Sequence, residues 1–344
     1  MMIKRFLTVA IIATITLFLM VILILAAGAD PGRAISAFWI GVFGSTTGFA
    51  EIFVKATPII LVSLGVAVSF QTGFFNIGGE GQFYMGALAS AFVALKMNWI
   101  PGILRIILCA VAAMIVGAGW SLIPAIMKTK LKISETVNTI MMNYIALMII
   151  GIVIRGPLQE EGSSFPQTGQ IDKSARLPQL WMPTRLHLGI VIAVITAFIV
   201  WFIMKRSTLG FEMRMVGNNK RCASCLGMPV TRSLLLSAAM GGGLAGLAGM
   251  SELLGVQFRL LEGLSSGVGY TGVLIALLAS NQPLGVLLVS IIYAFFQTGA
   301  NTMQRQVGVP AAIVQIVTGM IVIIMLSRSL IDKLKKSRTV GRLN

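Results

Sequence analysis

Charge is scarce in this sequence. Only 11% of its 344 residues are charged, just 11 of them are Asp or Glu, and there is one histidine, His187. So few polar groups cannot clothe a water-soluble globule of this length. Three cysteines, Cys109, Cys222 and Cys225, give no disulfide framework. The Cys222-Ala-Ser-Cys225 spacing lacks the second pair of ligands that zinc needs, so no metal site is expected. A lone histidine removes the Ser/His/Asp class of chemistry, and no pair of carboxylates falls in a helical register suited to acid–base work. No G-x-x-x-x-G-K-[ST] phosphate loop is present, and Gly217-Asn-Asn-Lys220 lacks its spacing. No residue is therefore assigned a catalytic role, and no cofactor is expected on this chain.

What the sequence has in abundance is apolar length. Hydrophobic residues make up 56% and the mean hydropathy is +0.91, concentrated in stretches such as 6–27, 110–127, 137–154, 188–204 and 313–326. A helix needs roughly 20 apolar residues to cross the ~30 Å hydrocarbon core, so the chain has room for about ten spans and no sizeable soluble domain. The net charge is +16, and 17 of the 27 basic residues fall in four groups beside apolar runs: Lys4 and Arg5; Lys128, Lys130 and Lys132; the loop 205–232; and the tail 328–342. That distribution follows the positive-inside rule and identifies the lipid bilayer, not nucleic acid, as the partner of the positive charge.

Helices are expected near 6–27, 56–70, 82–97, 102–127, 136–154, 187–204, 233–254, 267–281, 283–302 and 308–327. Ten crossings with both termini cytoplasmic place all four basic groups on one side. The fold class is all-α: one polytopic membrane domain over 1–344, with a spanning region 6–327, a cytoplasmic loop 205–232 and a basic cytoplasmic tail 328–344. The stretch 6–27 ends in Ala26-Ala27-Gly28-Ala29 like a secretory signal, but it is longer than a signal core and reads as an uncleaved helix. The outside receives 30–55, whose centre suits the membrane surface, and the loop 155–185 with Glu160, Glu161, Asp172 and four prolines.

Between Val68 and Tyr84 the pattern breaks into Gln71-Thr72-Gly73-Phe74-Phe75-Asn76-Ile77-Gly78-Gly79-Glu80-Gly81-Gln82, flanked by apolar runs that are each short for a crossing. Two readings stay open: irregular backbone inside the membrane, tolerated where it lines a cavity, or a cytoplasmic hairpin. Most polar groups expected inside the membrane are neutral. The candidates for a solute path are Asn76, Glu80, Gln82, Asn143, Gln297 and Asn301; Gln297, Asn301 and Gln304 share a helical face. Interhelical hydrogen bonding explains the same amides. The glycines of 241–249 read as close helix packing. The loop 208–229, bounded by glycines, has room for a short helix between Asn218 and Leu226 that would suit docking to another protein.

That loop resembles the cytoplasmic segment of permease subunits of bacterial ABC importers, in the branched-chain amino acid, ribose and nucleoside permease superfamily. Thr72-Gly73-Phe74-Phe75-Asn76-Ile77-Gly78-Gly79-Glu80-Gly81-Gln82 with Met85-Gly86-Ala87 carries the likeness too, as does Gly269-Tyr270-Thr271-Gly272-Val273-Leu274-Ile275-Ala276-Leu277-Leu278 with Pro283-Leu284-Gly285. Phe38-Trp39-x-Gly41-x-Phe43-Gly44 and Lys55-Ala56-Thr57-Pro58 look most like the nucleoside and simple-sugar branch. The resemblance runs over 30–326 and implies a ten-helix importer permease, multi-pass in the bacterial plasma (inner) membrane, passing a neutral polar solute such as a nucleoside or simple sugar. It also implies three partners: a cytoplasmic ABC ATPase that uses ATP, a second permease subunit that is a distinct chain, and an extracytoplasmic substrate-binding lipoprotein. The ATPase-coupling candidates it implies are Gly210, Arg214, Gly217, Asn218 and Gly227. Cys222 and Cys225 depart from the alanines common there, and Ser280-Asn281-Gln282 from a turn that often holds a basic residue or glycine. The alternatives are a self-contained secondary carrier, disfavoured by the scarcity of buried carboxylates, a permease for branched-chain amino acids, and an integral-membrane enzyme or assembly factor.

Overall fold

The computed structural model describes residues 28–308, with single positions at 18, 21, 22, 24, 25, 310, 312 and 316. Apart from those positions, the expected spans 6–27 and 308–327 and the tail 328–344 lie outside the described residues. Eleven α-helices follow in order: α1 (Pro31–Phe43), α2 (Thr46–Gln71), α3 (Gly79–Lys96), α4 (Gly102–Leu131), α5 (Glu135–Ile154), α6 (Gly189–Arg206), α7 (Thr208–Asn218), α8 (Lys220–Cys225), α9 (Val230–Glu252), α10 (Val268–Leu278) and α11 (Pro283–Val307). A π-turn at Leu253–Gln257 extends α9. No strand occurs among the described residues, only isolated bridges such as Gln167 with Leu261. Among the described residues, six helices, α2, α4, α5, α6, α9 with its π-turn, and α11, are long and apolar enough to cross a membrane.

Three expectations are corrected. The run read as 56–70 is a 26-residue helix that starts at Thr46, so it is not short for a crossing. Its extra turns carry Glu51 and Lys55, which read as part of the external stretch 30–55; the helix also runs on through Pro58, inside the expected span, and the Thr57 hydroxyl donates to the Phe53 carbonyl at 2.8 Å. The break narrows accordingly to Thr72–Gly78, because α3 begins at Gly79. The run read as a full span at 267–281 is an 11-residue helix, which rises only about 16 Å, half the hydrocarbon thickness. Finally, 31–43 is a helix: Asp30 caps it by accepting from the Gly32 amide at 2.8 Å, and Pro31 opens it with its φ already helical.

The described chain gathers into two compact units. The larger, Phe53–Ile291, is built around α9, whose glycines let three neighbours approach backbone to backbone. A Cβ on Gly241 would meet the Ser69 hydroxyl on α2 at 2.5 Å, one on Gly246 the Ala113 carbonyl on α4 at 2.2 Å, and one on Gly249 the Phe83 carbonyl on α3 at 2.1 Å. The small-residue pattern read from the sequence thus is a packing device: with no hydrophobic effect between helices in lipid, close van der Waals contact holds them together. In the smaller unit, which holds α1 and the C-terminal half of α11, Gly41 packs on Thr302 and Gly299 on the Phe38 ring. Phe38, Trp39, Phe43 and Phe295 complete an aromatic cluster there, with Phe38 and Phe295 edge-on at 5.3 Å.

On one side of the larger unit, the segment 155–188 is laced to the chain that follows α9. The Thr168 amide donates to the Leu260 carbonyl at 3.0 Å and the Ile171 amide to that of Phe258 at 2.9 Å. Arg155 pairs with Glu262 at 2.6 Å, Arg259 pairs with Glu160, and the Arg176 guanidinium lies 4.3 Å from the centre of the Phe258 ring. His187 closes this segment, buried against Gly189 and Gly255. Its Nδ1 accepts from the Gly189 amide at 3.1 Å, and its Nε2 has no partner. Burial pushes the imidazole down to about 4, below the ordinary value of about 6.5 for an unfolded chain. A group depressed in this way contributes stability above the unfolded value, and that stability drains away as the pH falls from about 6.5 to about 4, by up to about 3 kcal/mol. Melting curves in detergent are therefore expected to fall more steeply across this window for the wild-type chain than for His187→Asn, which carries no titrating ring. Parallel curves would show that the imidazole does not set the slope.

Candidate functional site

The break between α2 and α3 is held by polar groups drawn from helices far away in sequence. Gly73 turns the chain at φ +76, a conformation that favours glycine. Three residues on, Asn76 is buried. It donates from Nδ2 to Gln82 Oε1 at 3.2 Å, and its Oδ1 accepts from Gln82 Nε2 at 3.0 Å and from the Gly78 amide at 2.9 Å. Asn143 reaches across from α5: its Oδ1 accepts from the Gly81 amide at 2.8 Å, and its Nδ2 donates to the Ile77 carbonyl at 3.0 Å. The Thr139 hydroxyl, one turn earlier, accepts from the Ile77 amide at 3.3 Å. These bonds satisfy backbone groups that lipid could not, and they occupy both ends of each amide.

Glu80 sits where two helix N-termini meet. It occupies the first turn of α3, and its carboxylate accepts from Ser265 Oγ and from the Gly269 amide, at 2.8 Å in the second case, in the first turn of α10. The crossing is tight enough that a Cβ on Gly269 would lie 2.2 Å from the Glu80 nitrogen. Helix N-termini carry partial positive charge and favour a carboxylate placed against them. Here the group between them is a side chain of the protein itself. Tyr84, one turn further along α3, accepts from the Ser265 amide at 3.2 Å and fixes the same loop.

Of the six path candidates, the structure thus brings Asn76, Glu80, Gln82 and Asn143 together around one break. All four are buried, and all four bond to protein. Gln297 and Asn301 lie half-buried on α11, with Gln304 exposed. Sequence reasoning missed Ser265 and Tyr84. Nothing local marks them, because each acts by meeting a residue from another helix.

The basic loop folds as two short helices rather than the one expected at 218–226. Ser207 caps α7 by accepting from the Gly210 amide at 3.1 Å, and Asn219 caps α8 by accepting from the amides of Arg221 and Cys222 at 3.0 and 3.1 Å. Asn218 is the last residue of α7, so the cap that the sequence reading left unnoticed is its neighbour. A Ser just after Lys-Arg and an Asn just before Lys-Arg were the available signals. Gly210 lets α7 fold back on α6, since a Cβ would meet the Ile203 carbonyl at 2.2 Å. Gly217 lies on the start of the break, where a Cβ would meet the Gln71 carbonyl at 1.9 Å. Gly227 ends the pair at φ +74, and Arg214, half-buried, has an unpartnered Nη1.

Beneath the break, two ammonium groups converge on one carbonyl. Lys128 Nζ donates to the Gly73 oxygen at 3.2 Å while paired with Glu135, and Lys220 Nζ lies 3.5 Å from the same oxygen. Burial and the neighbouring Lys128 hold the Lys220 ammonium below the usual lysine range. No group of His, Cys, Asp and Glu able to hold a metal occurs among the described residues.

The chain is similar to known transport proteins over nearly its whole length. Residues 48–326 match the family described as branched-chain amino acid transport system / permease component. A guanosine ABC transporter permease protein of Bacillus subtilis is 37% identical and covers 92% of each chain. A nucleoside ABC transporter permease protein of Lactococcus lactis is 33% identical over 90% of this chain and 88% of its own. A glucose ABC transporter permease protein of Haloferax volcanii is 31% identical over 88% of this chain and 82% of its own. The chain therefore belongs to the branched-chain amino acid transport system permease family, as a multi-pass permease subunit of an ABC transporter in the plasma membrane.

Proposed function

We propose that this permease imports a nucleoside, delivered by an extracytoplasmic binding protein and driven by ATP hydrolysis in a separate cytoplasmic ATPase. The observation that carries the reading is the 37% identity to a guanosine permease along 92% of both chains; a second relative, 33% identical, is likewise a nucleoside permease. The basic residues of the loop 205–232 put α7 and α8 on the cytoplasmic side, where Gly210, Arg214, Gly217, Asn218 and Gly227 form or flank the ATPase-docking helices. A second permease chain completes the translocation path. Asn76, Gln82, Asn143 and Glu80, in the larger unit, are proposed as path residues at the break; Gln297 and Asn301, in the smaller unit, are proposed separately as amides offering donors and acceptors to ribose hydroxyls or a base.

Competition decides the substrate class. In proteoliposomes holding the complete complex, unlabelled adenosine or uridine is expected to reduce the uptake of tritiated guanosine, whereas a comparable excess of leucine or glucose leaves it unchanged. Uptake of labelled leucine or glucose, with none of guanosine, would overturn the assignment.

A further inference from the structure

The two halves of the site described above touch at one place. Phe74, the residue after the Gly73 turn, is fully buried, and its side chain belongs to a cluster with Val216 of α7, Ala223 of α8, Ala125 of α4, and Leu234 and Ala238 of α9. The break therefore sends an aromatic ring into the core beneath the two basic-loop helices. Beside it, Gly217 rests on the Gln71 carbonyl with no side chain between the two backbones. The Gly73 carbonyl is gripped from α4 by Lys128 and from α8 by Lys220. Two residues beyond Phe74 stands Asn76, whose amide is locked to Gln82 and Gly78.

Close-packed cores transmit displacement; they do not absorb it. A long flexible side chain between two elements lets one move without the other by changing rotamer, but a glycine resting on a carbonyl has no such slack. A shift of α7 and α8 must then carry the start of the break with it or open a cavity around the Phe74 ring. From Phe74 the shift passes through two residues of backbone to the Asn76–Gln82 pair, which fixes the first turn of α3.

We infer that Phe74 is the positioning residue that delivers movement of the α7–α8 pair to the broken segment Thr72–Gly78, and so couples ATP hydrolysis to opening of the path. The inference rests on the functional reading above and adds to it the residue through which the stroke passes. Shortening the ring should leave the ATPase docked and turning over while its work is lost at the cavity left behind.

The test uses the complete complex in proteoliposomes, with tritiated guanosine as probe and phosphate release measured in the same vesicles. For Phe74→Ala, hydrolysis is expected to stay within about twofold of wild type while guanosine taken up per ATP falls about tenfold, a coupling loss in the usual range for such links. Phe74→Leu, which refills most of the cavity, should recover most of that ratio. An unchanged ratio in Phe74→Ala, or hydrolysis and uptake falling in proportion, would overturn the inference. If Phe74→Ala does not accumulate in the membrane, Lys220→Met, which releases one of the two grips on Gly73, is expected to lower the same ratio about threefold, and an unchanged ratio there would overturn the inference equally. A wild-type complex that hydrolyses ATP but takes up no guanosine would contradict the functional reading itself, and the inference with it.

Discussion

Replacing Glu80 by alanine is expected to destabilise the protein by about 3–5 kcal/mol, among the largest effects a single substitution produces. The carboxylate accepts from Ser265 Oγ and the Gly269 amide, and alanine leaves both donors buried with no partner. Each such group costs about 1–3 kcal/mol. The loss also uncaps α10, whose own N-cap residue, Gly267, offers no side chain. Glu80→Gln separates this structural role from ion coupling. A glutamine oxygen can still accept from Gly269, and its NH2 group faces the Ser265 hydroxyl, so the cost should drop to about 1–2 kcal/mol. ATP-driven transport should survive. A carboxylate that carried a coupling ion would behave the other way, with Glu80→Gln folding normally and transporting nothing. Thermal melting in detergent beside uptake in vesicles reads both outcomes.

Much of the fold was legible because membrane solvation makes long apolar runs unambiguous. The helices expected at 102–127, 136–154 and 187–204 appear at Gly102–Leu131, Glu135–Ile154 and Gly189–Arg206. The errors fall where a polar residue sits inside a helix. Glu51 and Lys55 made the first ten residues of α2, 46–55, read as part of an external loop. The segment 267–281 read as a span because composition does not reveal where a helix stops, and Ser280 and Asn281 turn the chain there at positive φ. The site was legible only in part. Asn76, Glu80, Gln82 and Asn143 were chosen as polar groups in apolar surroundings, and the structure gathers them at one break. That their hydrogen bonds go to each other, to Ser265 and to the backbone was invisible, since burial and partner choice are tertiary facts. The grip on Gly73 is of the same kind: Lys128 lies 55 residues away and Lys220 lies 147.

The source of energy carries the second large effect. The chain has no phosphate-loop motif, and the buried Glu80 is engaged in holding two helices together, in keeping with the proposal that a separate ATPase supplies the energy. Uphill transport should then depend wholly on the partner ATPase. The decisive measurement is accumulation of tritiated guanosine in proteoliposomes prepared in two ways: with this chain alone under an imposed proton or sodium gradient, and with the chain, its second permease, the ATPase and the binding protein supplied with ATP on the ATPase side. The account expects accumulation at least about tenfold above the external concentration only in the second preparation, a gradient worth about 1.4 kcal/mol and far below what ATP hydrolysis delivers. Accumulation by the single polypeptide under an ion gradient would contradict it.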